Sequence, residues 1–233
     1  MISNILSVST SSSHASLAII SQGKCLAEAS NSQPRTHSDW IHQALLKCLH
    51  DSDLHIKDLQ GLAIDVGPGS FTGIRVGLNL VKSMAFAQSL PIFQFSSLDI
   101  LLSEHMQNAF ALINAFKNSV FFAGQDSQGQ PIPPQVQGVK QLVEWLTQYP
   151  NPESVSLLGD GLVTIPSLKQ LVSSRPFLRP SSPEGDFPSA KQLGLIASQM
   201  DEETWTKDWK SVLPLYLRAS EAEENLGKSK SNP

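Results

Sequence analysis

The sequence has 233 residues, a net charge of −4 and an isoelectric point near 5.8. Hydrophobic residues make up 40% of it, which is enough to bury one large core or two smaller ones. Proteins that hold nucleic acid through its phosphates usually carry a basic stripe, and this acidic chain has none. We therefore expect any contact with RNA to be indirect or weak.

Cys25 and Cys48 are the only cysteines, which favours a reducing compartment over a disulfide framework. The first residues, MISNILSVSTSSSH, lack the basic region and the long apolar core of a signal peptide. No apolar run approaches the roughly 20 residues of a membrane-spanning helix. The sequence therefore predicts a cytoplasmic protein without a membrane association.

Short apolar runs separated by turn residues predict three strands at the start of the chain: NILSVS, ASLAII and KCLAEAS. The dipeptide QG is the expected hairpin turn between the last two. A helix is predicted from Thr36 to Leu49, with Thr36 or Ser38 as its N-cap. The buried strand LQGLAIDV, a helix over residues 71–89 and the strand IFQFS follow.

The same series of elements then begins again. AFALINA, SVFFAGQ and GQPIPPQV are predicted as strands, with the turn DSQG between the last two. The distance along the chain from Ser9 to Gly23 nearly equals that from Asn114 to Gly129. The helix VKQLVEWLTQ, the strand SVSLLG and a second glycine turn, GDG, complete the repeat. We interpret this as a weak internal duplication.

Two copies of such a unit predict an α/β protein with two lobes, residues 1–103 and 104–218, which meet near residues 102–108. The proline- and serine-rich segment SSRPFLRPSSPEGDFPSA is predicted to be an irregular loop, followed by a helix over about 189–200. The polar residues 219–233 are expected to form a flexible tail.

The segment AIDVGPGSFTGIRVGLNLVKSMAFA, residues 63–87, combines a strand, a glycine turn and a helix. Gly67 and Gly69 permit a sharp exit from the strand. A turn that opens a helix can present its amides to an anion, with the Ser70 and Thr72 hydroxyls in support. The segment has neither the lysine of a Walker loop nor the third glycine of a dinucleotide fingerprint, so the phosphate signal is weak.

The glycines of the helix also lie four residues apart, at Gly69, Gly73 and Gly77. Residues at this spacing share one face of a helix and allow another backbone to approach closely. Apolar residues accompany them on the same helix: Ile74, Leu78, Val81 and Met84. Two interpretations stay open, which are packing inside the domain and an interface with another chain.

Four motifs together resemble the TsaB (YeaZ) family: LSVSTSSSHASLAI, RTHSDWI, GPGSFTGIRVG and LPLYLR. The resemblance is close over residues 1–100, loose over 101–210 and sharp again at 214–218. It implies a two-lobed actin/Hsp70/sugar-kinase-like (ribonuclease H-like) fold, which agrees with the duplication.

The resemblance implies an accessory role rather than a catalytic one. TsaB-type proteins bind and activate a TsaD-type catalytic subunit, which forms threonylcarbamoyladenosine (t6A) at the tRNA adenosine 3′ of the anticodon. A TsaE-type ATPase joins the pair, and TsaB forms a homodimer when it is alone. We accordingly expect no catalytic residue, no bound cofactor and no metal in this chain.

The resemblance also implies that the first two helices, 36–49 and 71–89, bind the partner. The residues expected at this interface are His37, Ser38, Ile41 and Leu45 on the first helix, and Gly69, Ser70, Phe71, Thr72, Gly73, Ile74, Arg75, Gly77, Leu78 and Val81 at the glycine turn and on the second.

The sequence departs from the family at two positions that face the nucleotide cleft in kinases of this fold. The first strand ends in Ser9-Thr10-Ser11 instead of Asp-Thr-Ser, and the second lobe has Asn114-Ala115-Phe116 instead of Asp-Ala-Arg. Magnesium with phosphates requires carboxylate oxygens, so a degenerate nucleotide cleft is expected. Ser9 and Asn114 are then interpreted as turn-capping residues, and Asp65 as a turn or cap residue.

A metal site and a serine nucleophile have less support in the sequence. His37 and His42 point in different directions on a helix and cannot share one metal, and Ser70 lies outside a nucleophile elbow. Arg75 either binds a ligand of the partner or ties its helix to a neighbouring loop. Tyr216 and Arg218 are expected to hold the C-terminal segment on the first lobe.

Two rival functions remain open at this stage. One is a nucleotide-dependent kinase or ATPase of the sugar-kinase fold, which would bind Mg-ATP between the lobes. The other is a homodimeric scaffold of another pathway.

Overall fold

A computed structural model describes residues 2–32, 37–105, 107–149, 154–182 and 186–218. Its first sheet has the strand order β3-β2-β1-β4-β5, antiparallel in the hairpins and parallel from β1 to β5. The strands are β1 (Asn4–Ser9), β2 (Ala15–Ser21), β3 (Lys24–Asn31), β4 (Gly61–Asp65) and β5 (Ile92–Phe95). The predicted hairpin turn is confirmed, because Gln22 and Gly23 both have positive φ, as a tight hairpin requires.

The central strands β1, β2 and β4 are buried along nearly their whole length. They are buried on both sides because helices cover both faces of the sheet. One face carries α1 (His37–Asp51) and α2 (Phe71–Gln88). The proposed N-cap Thr36 lies outside the described residues, as does the side chain of Ser38.

The second sheet repeats this order as β10-β9-β6-β7-β8. Its strands are β6 (Ala109–Asn114), β7 (Ser119–Gln125), β8 (Pro131–Gly138), β9 (Val155–Leu158) and β10 (Leu178–Pro180). The helices that follow are α4 (Val139–Gln148), α5 (Gly161–Thr164) and α6 (Pro166–Ser174). The predicted two-lobed α/β fold with an internal duplication is confirmed.

The predicted irregular loop over residues 173–190 was wrong in part. Helix α6 extends to Ser174, and β10 lies inside the segment and pairs with β9 in parallel. Leu178 is buried under this sheet, whereas Pro180 ends the strand at the sheet edge, where its missing amide costs no ladder bond. A strand of three residues is too short to show an alternating pattern.

The last helix of each half crosses toward the other lobe. Helix α3 (Ser97–Leu102) follows β5, yet Leu98 and Leu101 pack against the second sheet. Helix α7 (Ala190–Ser198) follows β10, yet Leu193 packs against the first sheet, on the face opposite α1 and α2. Chain order and packing therefore differ for these two helices, and the division at residues 103 and 104 stays a prediction.

The residues after α7 run along the first lobe. Thr206 exchanges two backbone hydrogen bonds with Ile92, of 2.8 and 2.9 Å, at the free edge of β5. Further on, Val212 is buried in the core beneath α1 and α2, and the Leu215 amide donates to the carbonyl of Val66 at 2.8 Å. The residues that follow α7 thus complete the sheet edge and the core of the first lobe.

We expect Leu193→Ala in α7 to lower the free energy of unfolding by about 2–5 kcal/mol, because a fully buried leucine is lost from the face that α7 covers. The measurement is urea denaturation followed by circular dichroism. Leu46→Ala in α1 is the matched control, since Leu46 is 66% exposed and its loss should change stability by no more than about 0.5 kcal/mol. Equal losses in the two variants would contradict this assignment.

Candidate functional site

The glycine turn between β4 and α2 uses its polar groups within the chain. Gly67 has φ +100°, and its amide donates to Asp65 Oδ1 at 2.9 Å. The Ser70 amide donates to the carbonyl of Ser11 at 2.6 Å, and the Ser70 hydroxyl caps α2 by accepting from the Gly73 amide at 3.2 Å. Because these groups are already paired, the structure gives no support to a phosphate cradle at this turn.

The glycine strip of α2 faces the end of β1 in the same chain. A Cβ added at Gly69 would lie 2.2 Å from the Ser11 carbonyl oxygen, and one at Gly73 would lie 2.0 Å from that of Thr10. At Gly77 it would lie 2.4 Å from Thr10 Oγ1. The strip therefore packs inside the domain, and the interpretation of it as an open surface for another backbone was wrong.

Many of the predicted partner-binding residues share this inward orientation. Buried inside the chain are Ile41, Leu45, Gly73, Ile74, Gly77, Leu78 and Val81. At least partly exposed are Gly69, Ser70, Phe71, Thr72 and Arg75. The side chains of His37 and Ser38 lie outside the described residues. A partner that binds α1 and α2 would thus contact their outer faces, and the interface as a whole stays a prediction.

A shallow groove runs along these outer faces. A cavity of about 280 Å³ lies between α1 and α2, and a second of about 310 Å³ continues it toward the C-terminal segment. The two cavities share Asn79 and Ser83. Phe86, which is 71% exposed, meets Trp209 edge to face at 5.7 Å in the second cavity. We call this surface, lined by Ile41, His42, Val76, Asn79, Leu80, Lys82, Ser83, Phe86 and Trp209, the α1–α2 groove.

Sequence reasoning missed Phe86 and Trp209. Phe86 stands between polar and small residues near the end of α2, and the apolar face of that helix is already complete without it. A large aromatic residue on the outer face of an amphipathic helix is the available signal. The residue that it meets lies far along the chain, and no local pattern connects the two.

Asp65 occupies the base of the cleft between the lobes and is completely buried. Its Oδ2 lies 2.7 Å from Ser9 Oγ and 2.5 Å from Ser11 Oγ, and its Oδ1 lies 2.5 Å from Ser97 Oγ. Burial raises the pKa of this carboxyl group above its ordinary value, and the hydrogen bonds oppose the change. The interpretation of Asp65 as a turn residue is confirmed by its bond to the Gly67 amide.

Asn114 closes the corresponding turn of the second lobe. Its Oδ1 accepts from the Phe116 amide at 2.8 Å, and its Nδ2 donates to Thr164 Oγ1 at 3.0 Å. Asp160 accepts from the Asn114 amide at 2.9 Å, and burial raises the pKa of Asp160. The predicted turn-capping role of Asn114 is confirmed.

Two cavities flank this cleft. One of about 460 Å³ is lined by the start of α2, the turn at Phe116 and Lys117, and the C-terminal segment. The other, of about 550 Å³, is lined by carboxylates that include Glu28, Glu104 and Asp186. Neither places a set of carboxylates around one point, and among the described residues no group of three or more His, Cys, Asp or Glu is placed to hold a metal.

The residues present therefore do not fit the magnesium–phosphate group that kinases of this fold hold in the cleft. Ser9 and Asn114 are neutral, and the nearby carboxyl group of Asp65 is occupied by hydroxyls and an amide of the chain itself. In the described part of the chain, no helix is long and apolar enough to cross a membrane.

The C-terminal segment is attached to both lobes. Tyr216 stacks on Phe71 with 4.7 Å between ring centroids, and its hydroxyl accepts from Arg75 Nε at 3.2 Å. The first-lobe position of Tyr216 is thus confirmed, and Arg75 ties its helix to this segment. Arg218 was predicted wrongly, because its guanidinium donates to the carbonyl of Ala115 in the second lobe at 3.1 Å.

We expect Gly73→Ala to destabilise the fold by about 1–3 kcal/mol, although alanine is the better helix former by about 1 kcal/mol, because the new methyl group overlaps the Thr10 carbonyl. The measurement is the midpoint of thermal unfolding. Asn79→Ala, at an exposed position on the same helix, is the control and should leave the midpoint nearly unchanged. A higher midpoint for Gly73→Ala would show that the helix does not lie this close to β1.

Comparison with known proteins gives one family-level match. The model of the tRNA N6-adenosine threonylcarbamoyltransferase (TsaD) family matches residues 24–171. This range includes α1, α2 and both glycine turns.

Similar proteins extend the match over the rest of the chain. A Bacillus subtilis protein named tRNA threonylcarbamoyladenosine biosynthesis protein TsaB is 26% identical over 227 residues, which is 94% of this chain and 96% of that one. A Haemophilus influenzae protein of the same name is 31% identical over 124 residues, 51% of this chain and 52% of that one.

Among solved structures, a Pseudomonas aeruginosa protein described as similar to peptidase YEAZ superposes with a TM-score of 0.72 at 23% identity. The match covers 93% of this chain and 100% of that one. At this identity the superposition supports the fold alone.

Proposed function

Because this chain belongs to the family of the threonylcarbamoyltransferase (TsaD) model, with TsaB (YeaZ) proteins as its full-length relatives, we propose that it acts in t6A biosynthesis on tRNA. In this role it binds a TsaD-type catalytic subunit in the cytoplasm and performs no catalytic step itself. A TsaE-type ATPase joins the pair, and contact with the tRNA is indirect or weak.

The observation that supports the accessory role is that two residues of the cleft between the lobes are neutral and bonded within the chain. The position where a kinase of this fold needs a carboxylate has Ser9, whose hydroxyl is bonded to Asp65 and to the carbonyl of Pro188. The corresponding position in the second lobe has Asn114, whose side chain closes a turn. Groups that are engaged in holding the fold are poor candidates for binding and activating a substrate.

The α1–α2 groove supports the binding half of the proposal. It exposes aromatic and aliphatic surface, centred on Phe86, between polar residues such as Asn79 and Lys82. Such a groove suits the apolar face of a helix from another protein. The TsaD-type subunit is the proposed occupant, and a second copy of this chain takes its place when that subunit is absent.

Activation without catalysis requires a difference in binding between two states of the partner. If the groove fits only the arrangement of TsaD lobes that is competent for transfer, binding shifts the partner toward that arrangement. The rigid attachment of α2 to β1 through the glycine strip supports this role, because a surface that shifts states must itself be stiff.

The direct test of the pathway is depletion of this protein in its host, followed by quantification of t6A in bulk tRNA by mass spectrometry. We expect the t6A level to fall and to recover when the gene is restored. An unchanged level under confirmed depletion would overturn the proposal and would favour a scaffold of another pathway.

For the interface, we expect Phe86→Ala to lower the affinity for the TsaD-type subunit about tenfold or more, because a large exposed ring at the centre of the groove is lost. The measurement is titration calorimetry with the purified partner. Phe116→Ala is the matched control, since Phe116 is also 71% exposed but lies at the cleft between the lobes.

The paired design separates the interface from the pathway. A loss of affinity in the Phe116 variant alone would move the interface to the cleft and leave the role in t6A biosynthesis intact. Full affinity in both variants would remove the α1–α2 groove as the binding surface.

A further inference from the structure

Asp65 is hydrogen-bonded to side chains from several segments of the chain, which a turn residue does not require. It ends β4, and the hydroxyls around it come from β1 and its following turn, Ser9 and Ser11, and from α3, Ser97. Ser9 Oγ also lies 3.0 Å from the carbonyl oxygen of Pro188, which precedes α7.

The available hydrogens limit how these contacts are made. The hydroxyl of Ser9 has one hydrogen and faces two oxygens, that of the Pro188 carbonyl and Asp65 Oδ2. The carbonyl can only accept, whereas a protonated carboxyl group can also donate, so we assign the hydrogen of Ser9 to the carbonyl. The 2.7 Å contact between Ser9 Oγ and Asp65 Oδ2 then needs a hydrogen from the carboxyl group.

The contacts on the other side of the group follow the same rule. The Gly67 amide donates to Oδ1, and Ser11 Oγ and Ser97 Oγ lie within hydrogen-bond distance of Oδ2 and Oδ1. Ser97 Oγ also lies 3.0 Å from Ser11 Oγ, so the three serines make more contacts than they have hydroxyl hydrogens. These donors already serve both oxygens of Asp65. A carboxylic acid keeps these bonds and adds the donor that Ser9 requires.

From this geometry we propose that Asp65 carries a proton in the folded chain and, as a neutral acid, fastens both crossings between the lobes. One crossing is α3, held through Ser97. The other is the segment before α7, held through the relay from Asp65 to Ser9 to the Pro188 carbonyl.

Charged groups on the surrounding elements do not change this assignment. They are His14 at the β1–β2 turn, Arg75 and Lys82 on α2, Asp99 on α3, Asp186 before α7 and Lys191 on α7. In the described part of the chain, none of them is hydrogen-bonded to Asp65. Burial is the largest influence on the pKa of Asp65 and raises it, in agreement with a retained proton.

A retained proton makes stability depend on pH. An unfolded aspartate has a pKa of about 3.9, and the pKa of Asp65 is higher in the folded chain. Between these two values the folded chain holds a proton that the unfolded chain releases. The free energy of unfolding therefore falls as the pH rises through this window.

The first test is carbon-13 NMR of the full chain labelled at the aspartate carboxyl carbons, with the Asp65 signal assigned through bonds. We expect this signal to keep the position of a neutral acid at pH values above the ordinary aspartate pKa of about 3.9, where exposed carboxyl groups ionise. A carboxylate position for Asp65 at pH 5, moving together with the exposed groups, would overturn the proposal.

The second test compares Asp65→Asn with the parent chain by thermal unfolding from pH 5 to pH 8. Asparagine is neutral at every pH, and its amide nitrogen can donate to Ser9 while its oxygen accepts from Gly67 and Ser97. The nitrogen cannot accept from Ser11, so the variant loses that one hydrogen bond. We expect the variant to have a lower midpoint by an amount that does not change with pH, and to lose the decline that the parent chain shows as the pH rises. A decline that persists unchanged in the variant would show that Asp65 is not its source.

The relay is tested separately with Ser9→Ala, followed by amide hydrogen exchange. Loss of the Ser9 hydroxyl leaves the Pro188 carbonyl without its donor, so we expect faster exchange over residues 186–193. Ser11→Ala is the matched control, because Ser11 is also a buried serine at Asp65, but its hydroxyl contacts Asp65 and Ser97 instead of the Pro188 carbonyl. Equal exchange in the two variants would remove the link between Asp65 and α7.

Discussion

The structure depends on the close approach of α2 to the end of β1. Gly69 in the preceding turn and Gly73 and Gly77 on the helix bring the backbone against Ser11 and Thr10, closer than any side chain would allow. The Thr10 hydroxyl donates to the Gly73 carbonyl at 2.7 Å and fixes the contact. This approach places the glycine turn at the cleft, sets the position of Asp65 and turns the outer face of α2, with Phe86, away from the core.

The same contact uses polar groups at the cleft between the lobes to hold the fold together. The backbone of the β1–β2 turn accepts from the Ser70 amide and meets glycine. The neutral serines beside it bond to Asp65. Groups that would bind and release a substrate in an enzyme are used permanently in holding two lobes, which is consistent with a chain whose outer surface carries its function.

Much of this fold could be predicted from the sequence, for identifiable reasons. The hairpins at Gln22 and Asp126 have strong turn chemistry, and α1, α2 and α4 have long amphipathic patterns, so their existence follows from local rules. Strand β10 could not be predicted, because three residues show no period. The direction of the glycine strip was also open, since small residues on one face look the same whether the neighbour is internal or external.

The candidate site was harder to predict than the fold. Its polar centre at Asp65 and its groove at Phe86 both depend on contacts with residues far along the chain, Pro188 in one case and Trp209 in the other. No periodic pattern in the sequence indicates contacts between residues so far apart along the chain. Local sequence patterns did identify Ser9 and Asn114, two neutral residues at positions where an enzyme of this fold needs a charged group.

Because α3 and α7 each pack against the opposite lobe, the order of translation limits how the chain can fold on the ribosome. One face of the first sheet lacks the cover of α7 until residues 190–198 have been translated, although its five strands end at residue 95. A nascent chain stopped anywhere in between would expose an apolar surface made of Ile5, Ile20 and Phe93. The first lobe therefore cannot complete its packing before most of the second lobe has been translated.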